Sequence, residues 1–147
     1  MNSWDKKYIR LAREISTWSK DPSTCIGAVA VGEKGQLLAQ GYNGFPRGIE
    51  DSEHRLNNRE EKYKYVVHAE MNCIYNASYN GAKLDGATMY VYGLPVCHEC
   101  AKAIIQVGIK RVVIPFDHIQ DLPDRWRDST KLTMRMFDEA GVEYQTI

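Results

Sequence analysis

The chain has 147 residues, 44% apolar and 26% charged, with 19 lysine and arginine residues against 19 aspartate and glutamate residues. That fits one domain over residues 1–147 around one substantial core, and a neutral chain has no broad field to gather a long nucleic acid, which leaves a small anionic ligand held by a few local basic residues. No apolar run approaches the ~20 residues that span a bilayer, and the start, Met1-Asn2-Ser3-Trp4-Asp5-Lys6-Lys7, lacks the apolar core of a signal peptide, so no membrane association and a cytoplasmic setting are expected.

Tyr8, Leu11, Ala12, Ile15 and Trp18 recur at spacings of three and four, which predicts a helix over 4–19 with one buried stripe. Asp21-Pro22-Ser23 breaks it. Residues 26–31 and 36–42 read as a hairpin of two strands around Gly32-Glu33-Lys34-Gly35. Asn43-Gly44-Phe45-Pro46-Arg47-Gly48 is a loop, and 49–65 is a polar excursion with a short helix near Arg59 to Tyr63.

A helix begins at His68, carries Met71, Ile74, Tyr75 and Ser78 along one side, and stops at Gly81. Residues 88–92 form a strand, 97–107 a helix stopped by Gly108, and 111–115 a strand. That unit calls for parallel strands and a right-handed crossover. Residues 117–128 read as polar loop, Ser129 as the cap of a last helix to Ala140, and 142–147 as a final strand. The expected fold is α/β in three layers, a mixed five-stranded sheet with helices on both faces.

The chemistry is concentrated in His68-Ala69-Glu70 and Pro95-Val96-Cys97-His98-Glu99-Cys100. Cysteines three apart at a helix start present both sulfurs on one face. The partial positive charge and free N–H groups there favour thiolate. With His68 at another helix start, three zinc ligands are available and a fourth position is left for water. Two thiolates cancel the charge of the dication, so its water is acidified less than beside three neutral histidines. Glu70, two residues from His68 and off its direction, then serves as the proton carrier.

Cys-x-x-Cys alone also fits a redox motif or half of a structural zinc site. The structural site would need a fourth ligand from His54 or His98, and His98, interleaved between the cysteines, should point elsewhere. Cys25 reads as a small buried strand residue, Cys73 as core, and Trp126 as a packing or interface residue.

With those residues in place, the chain resembles the zinc-dependent cytidine and deoxycytidylate deaminase superfamily, whose signature is His-x-Glu followed by Pro-Cys-x-x-Cys. Here Val96 separates Pro95 from Cys97. Ser19-Lys20-Asp21-Pro22-Ser23-Thr24, Gly41 to Gly48, His68 to Asn72, Glu99 to Lys102 with Ile109-Lys110, and Ala140-Gly141-Val142 look like the deoxycytidylate (dCMP) deaminase branch, including its phage-encoded members. They are less like the tRNA-adenosine or free-cytidine branches.

The resemblance implies a cytidine-deaminase-like fold and hydrolysis of dCMP to dUMP and ammonia, feeding dTMP synthesis. A zinc-activated water would attack C4, and Glu70 would carry protons to N3 and the departing amine. The main chain near Ala69 would read the pyrimidine edge, Asn43 the deoxyribose hydroxyl, and the Lys20 to Thr24 loop the sugar and phosphate, with Lys20 first for the phosphate. The Gly-Tyr-Asn-Gly segment implies regulation, with dCTP activating, dTTP inhibiting and Mg2+ accompanying the nucleotide, at Gly44 and Arg47. A homo-hexamer is implied, in the host cytoplasm if the chain is phage-encoded. The alternatives are a deaminase of another base or nucleoside, or a non-catalytic zinc-stapled module that binds nucleotides.

Overall fold

Strand β1 (Gly27–Val31) is buried along its whole length, and its alternate side chains enter two different cores. Ala28 and Ala30 join one cluster; Val29 and Val31 join the other. The same alternation runs through β3 (Thr88–Tyr92), where Met89 and Val91 face one way and Tyr90 the other, and through β4 (Arg111–Ile114), where Val112 and Ile114 oppose Val113. Strands buried on both faces need helices on both faces.

The computed structural model describes residues 3–115 and 122–147. Strand β2 (Leu37–Tyr42) lies at one edge and β5 (Glu143–Thr146) at the other, in the order β2-β1-β3-β4-β5. β1 runs antiparallel to β2 and β3, whereas β3, β4 and β5 are parallel. Helix α1 (Ser3–Ser16) covers the face of Val29, Tyr90 and Val113. Helices α4 (Ala69–Asn80), α5 (His98–Gln106) and α6 (Asp124–Ala140) contribute to the larger core on the other face. Between β2 and α4 come two short helices, α2 (Glu53–Asn57) and α3 (Arg59–Tyr65). The three-layer mixed sheet expected from the sequence is therefore observed. Among the described residues no helix is long and apolar enough to cross a membrane.

Four local expectations change. α1 stops at Ser16, because the next three N–H groups bond back three residues rather than four, and Trp18 is exposed rather than part of the buried stripe. The polar excursion holds two helices, capped by the side chains of Ser52 and Asn58. In α4 the inward stripe is Ala69, Cys73 and Ala77 with Glu70 and Ile74, while Tyr75 and Ser78 face outward. Of the loop expected over 117–128, residues 117–121 lie outside the described residues, and the remainder is mostly helix, since α6 begins at Asp124. Ser129 is therefore inside α6 and caps nothing there.

Asp5 ties α1 to the sheet. It is 1% exposed and receives Tyr90 Oη at 2.7 Å and Arg111 Nη1 and Nη2 at 2.9 and 2.6 Å. The Arg111 hydrogen bonds hold its carboxyl below the ordinary value of 3.8. A depressed acid contributes stability above its unfolded value and loses it as pH falls through the folded one. Asp5→Ala should cost about 3–5 kcal/mol in urea unfolding, because Arg111 is left without this partner. In Asp5→Asn, the fall of melting temperature below pH 3.8 should be shallower than in the wild type.

Candidate active site and metal centre

The site forms where α4 and α5 begin, at the same end of the sheet. Two glycines allow the approach. A Cβ on Gly41 in β2 would lie 2.7 Å from Ala69 O and from the carbonyl carbon of Asn72, so only glycine lets the first turn of α4 rest on the strand. Gly93, at φ 126, leaves β3 so close to β1 that a Cβ would meet Cys25 O at 2.7 Å. His68 caps α4 with extended backbone (φ −67, ψ 152) and no side-chain capping bond, so its ring is available elsewhere. Cys97 caps α5 with similarly extended backbone (φ −75, ψ 160), but its Sγ does serve as a cap and accepts the Cys100 N–H at 3.5 Å.

His68 Nδ1 lies 3.5 Å from Cys97 Sγ and 3.4 Å from Cys100 Sγ. A tetrahedral zinc with bonds of about 2.3 Å to sulfur and 2.05 Å to nitrogen would set those separations near ~3.6 Å. The three residues fit the ion, and they are the one such cluster of three or more among the described residues. Cys97 ionises first. The Cys100 S–H and N–H and the His68 ring stabilise its thiolate, which brings it down to about 4. The hydrogen bond that the Cys100 S–H gives that thiolate, and then burial, push Cys100 up, an antagonism that a dication between the sulfurs would remove.

Glu70 is 4% exposed, and its Oε1 has no hydrogen-bond partner among the described residues. Burial, then the Cys97 charge, pushes its carboxyl up to about 7. An orphaned buried carboxylate oxygen beside a ligand set is out of place in a structural site and fits a group that works on a bound water or substrate. The neighbouring polar residues are otherwise engaged. His98 turns away, its Nδ1 2.8 Å from Ser129 Oγ. Cys73 is fully buried core, as expected. Cys25 precedes β1 rather than lying in it and is only half-buried, its Sγ against Asp21 O at 3.4 Å.

A cleft of about 550 Å³ opens onto His68. Thr24 and Asn43 line it. Asn43 is buried, and its amide shapes the wall: Oδ1 accepts the Ile26 N–H and Nδ2 donates to Thr24 O, each at 2.8 Å. Ala69 is fully buried in the first turn of α4. Lys20 does not line the cleft. It is exposed, paired with Asp51 at 3.0 Å, and beside a smaller cavity that also touches Gly44. Arg47 lines neither; its guanidinium bonds Asn76 Oδ1 at 2.6 Å and lies over Tyr79.

The basic residues that do line the cleft are Arg59, Lys62 and Arg125, none singled out by the sequence. Lys62 is buried, with Nζ 2.9 Å from Ser23 Oγ and 3.2 Å from Asp21 Oδ1. That pairing spans 41 positions and has no local signal. Trp126 also lines the cleft, next to Arg125.

The model of the cytidine and deoxycytidylate deaminase zinc-binding region matches residues 2–115. The chain belongs to this deaminase family. It is 36% identical to human deoxycytidylate deaminase over 149 aligned positions, covering 97% of this chain and 78% of that one. An uncharacterized deaminase of Aliivibrio fischeri is 37% identical, covering 97% of this chain and 92% of that one. The crystal structure of the dCMP deaminase of cyanophage S-TIM5 with dCMP and dUMP superposes with a TM-score of 0.76 at 25% identity, covering 100% and 99% of the two chains.

The ligand geometry predicts one zinc per chain by elemental analysis, falling to near zero in Cys97→Ala or Cys100→Ala. Free zinc at a hundred times its dissociation constant should raise folding stability by about 2.7 kcal/mol, and a chelator should reverse the shift.

Proposed function

We propose that the chain hydrolyses dCMP to dUMP and ammonia with one bound Zn2+, supplying the deoxyuridylate from which dTMP is made. The observation that carries this reading is the buried Glu70 Oε1, without a hydrogen-bond partner among the described residues, beside the His68, Cys97 and Cys100 set, whose His68 lines a cleft with basic residues in its wall. The likeness to the cyanophage dCMP deaminase supports the same substrate.

When bound, the zinc would acidify a water and orient it toward C4 of the pyrimidine. Glu70 takes the proton of that water. It returns that proton to N3 as the oxygen bonds to C4, then takes the remaining proton from the new C4 hydroxyl and delivers it to the amine, which leaves as ammonia as the C4–N bond breaks and the C4 carbonyl forms. A carboxyl lifted by burial is suited to both directions of transfer. The N–H of Ala69, in the first turn of α4, has no intrahelical partner to satisfy and can read the pyrimidine edge. Asn43 uses one N–H and one lone pair on the loop. Its remaining donor and lone pair can serve the deoxyribose hydroxyl. Lys62, with Ser23 beside it and Arg59 and Arg125 in the same wall, replaces Lys20 as the group for the phosphate.

We extend the proposal to regulation by dCTP and dTTP with Mg2+, in a homo-hexamer. Two features support it. Gly44 borders the smaller cavity and pairs with Val67 through N–H···O bonds of 3.1 and 2.8 Å, one residue before the ligand His68. Trp18, Leu37, Tyr42, Tyr75 and Tyr79 are exposed on or beside the β2 edge and α4, more large apolar surface than a solitary face usually carries.

Ammonia release should be followed with dCMP, deoxycytidine, cytidine and guanine. Turnover of dCMP at least tenfold above deoxycytidine is expected; equal rates would remove the phosphate-reading claim. Glu70→Gln should retain zinc and lose about 10²–10⁴-fold in kcat. Adding dCTP should raise, and dTTP lower, turnover at subsaturating dCMP.

A further inference from the structure

Val96, which stands between Pro95 and Cys97, is fully buried, and both sides of it are gripped by side chains from the other end of the chain. Its N–H donates to Tyr144 Oη at 3.2 Å, and its carbonyl accepts from Thr133 Oγ1 at 3.0 Å. One residue past the ligand, the His98 N–H donates to Ser129 Oγ at 3.0 Å. Three main-chain groups that bracket Cys97 are thereby satisfied by three hydroxyls.

The hydroxyls come from a rigid source. Ser129, Thr133 and Phe137 lie four apart on α6, so they share one face. Thr133 and Phe137 are fully buried. Phe137 meets the Tyr144 ring edge-on, with centroids 5.3 Å apart, and so fixes the phenol of β5 against the same face. The turn itself has little of its own to hold it. Gly93 is in a left-handed conformation, and Cys97 spends its side chain on the α5 N-terminus and the ligand set. A main-chain displacement at Val96 is carried straight into the Cys97 sulfur, one residue on.

We infer that Thr133, Tyr144 and Ser129 are positioning residues of the metal centre: their hydroxyls set where the Val96–His98 main chain holds the Cys97 thiolate relative to His68 and Cys100. They touch neither ligand atom nor cleft. The inference rests on the zinc site and not on the identity of the substrate, so a failure to turn over dCMP leaves it standing.

The test measures the metal rather than the reaction. Zinc affinity is read by chelator competition, and the Co2+-loaded protein by its thiolate-to-metal absorption. Thr133→Val keeps shape and removes the hydroxyl; Thr133→Ser restores it. Loss of an outer partner of this kind weakens metal binding about 10–100-fold. Thr133→Val and Tyr144→Phe should each show such a loss with a shifted Co2+ band, and Thr133→Ser should return both to wild type. Ile15→Ala, a core lesion in α1 on the opposite face of the sheet, should lower the melting temperature while keeping zinc affinity within about threefold. If Thr133→Val does not fold, Tyr144→Phe alone decides. A folded Tyr144→Phe with wild-type affinity and spectrum overturns the inference, as does Ile15→Ala weakening zinc as much as the hydroxyl variants.

Discussion

Two helices that begin at the same end of one sheet are the constraint on which the rest depends. Each helix start carries unsatisfied N–H groups and partial positive charge. Bringing two of them together and adding a dication would be unfavourable without compensating anions. The chain supplies them as two thiolates at the start of α5, one of them hydrogen-bonded by the helix it caps. Beside them one oxygen of the Glu70 carboxyl has no partner among the described residues. The charge of such an ion would thus be balanced by residues of the site itself, and Gly41 and Gly93 let the two ends meet.

Much of this was legible in the sequence because it is local. The strand alternation, the helix breaks at Gly81 and Gly141, and the paired motifs at 68–70 and 95–100 each depend on residues a few positions apart. What sequence reading missed is mostly long-range or amphipathic. Tyr75 falls on one side of the expected helix with Met71, Ile74 and Ser78, yet a tyrosine carries a polar end and α4 has enough alanine and cysteine to face the sheet with small side chains. Ser129 looked like a helix cap because serine so often is one. Its hydroxyl is spent instead on His98, 31 positions away. Lys62 gave no sign of burial, since the Asp21 and Ser23 that receive it lie in a different segment.

For the same reason the His68, Cys97 and Cys100 cluster is more legible in the sequence than the lining of the cleft. Metal ligands must be cysteine, histidine or carboxylate at tight separations, so few arrangements compete. A phosphate is satisfied by any well-placed cation, and lysines and arginines are common on surfaces. Lys20 pairs with Asp51, while among the described residues the lysine and arginines that line the cleft are carried by α3 and the start of α6.

The grip on Val96 has a consequence for how the molecule matures. Tyr144 sits on β5, which follows every metal ligand in the chain and pairs in parallel with β4 only after α6 has crossed over. During synthesis, the cysteines therefore emerge well before the residue that steadies the turn in front of them. Parallel pairings of this kind form late because the intervening chain must first be ordered. A ribosome-bound chain that stops short of β5 carries all three ligands and still lacks their support. The ligand set is thus complete in the chain before β5 is, and the contacts that brace the turn in front of Cys97 belong to the completed sheet.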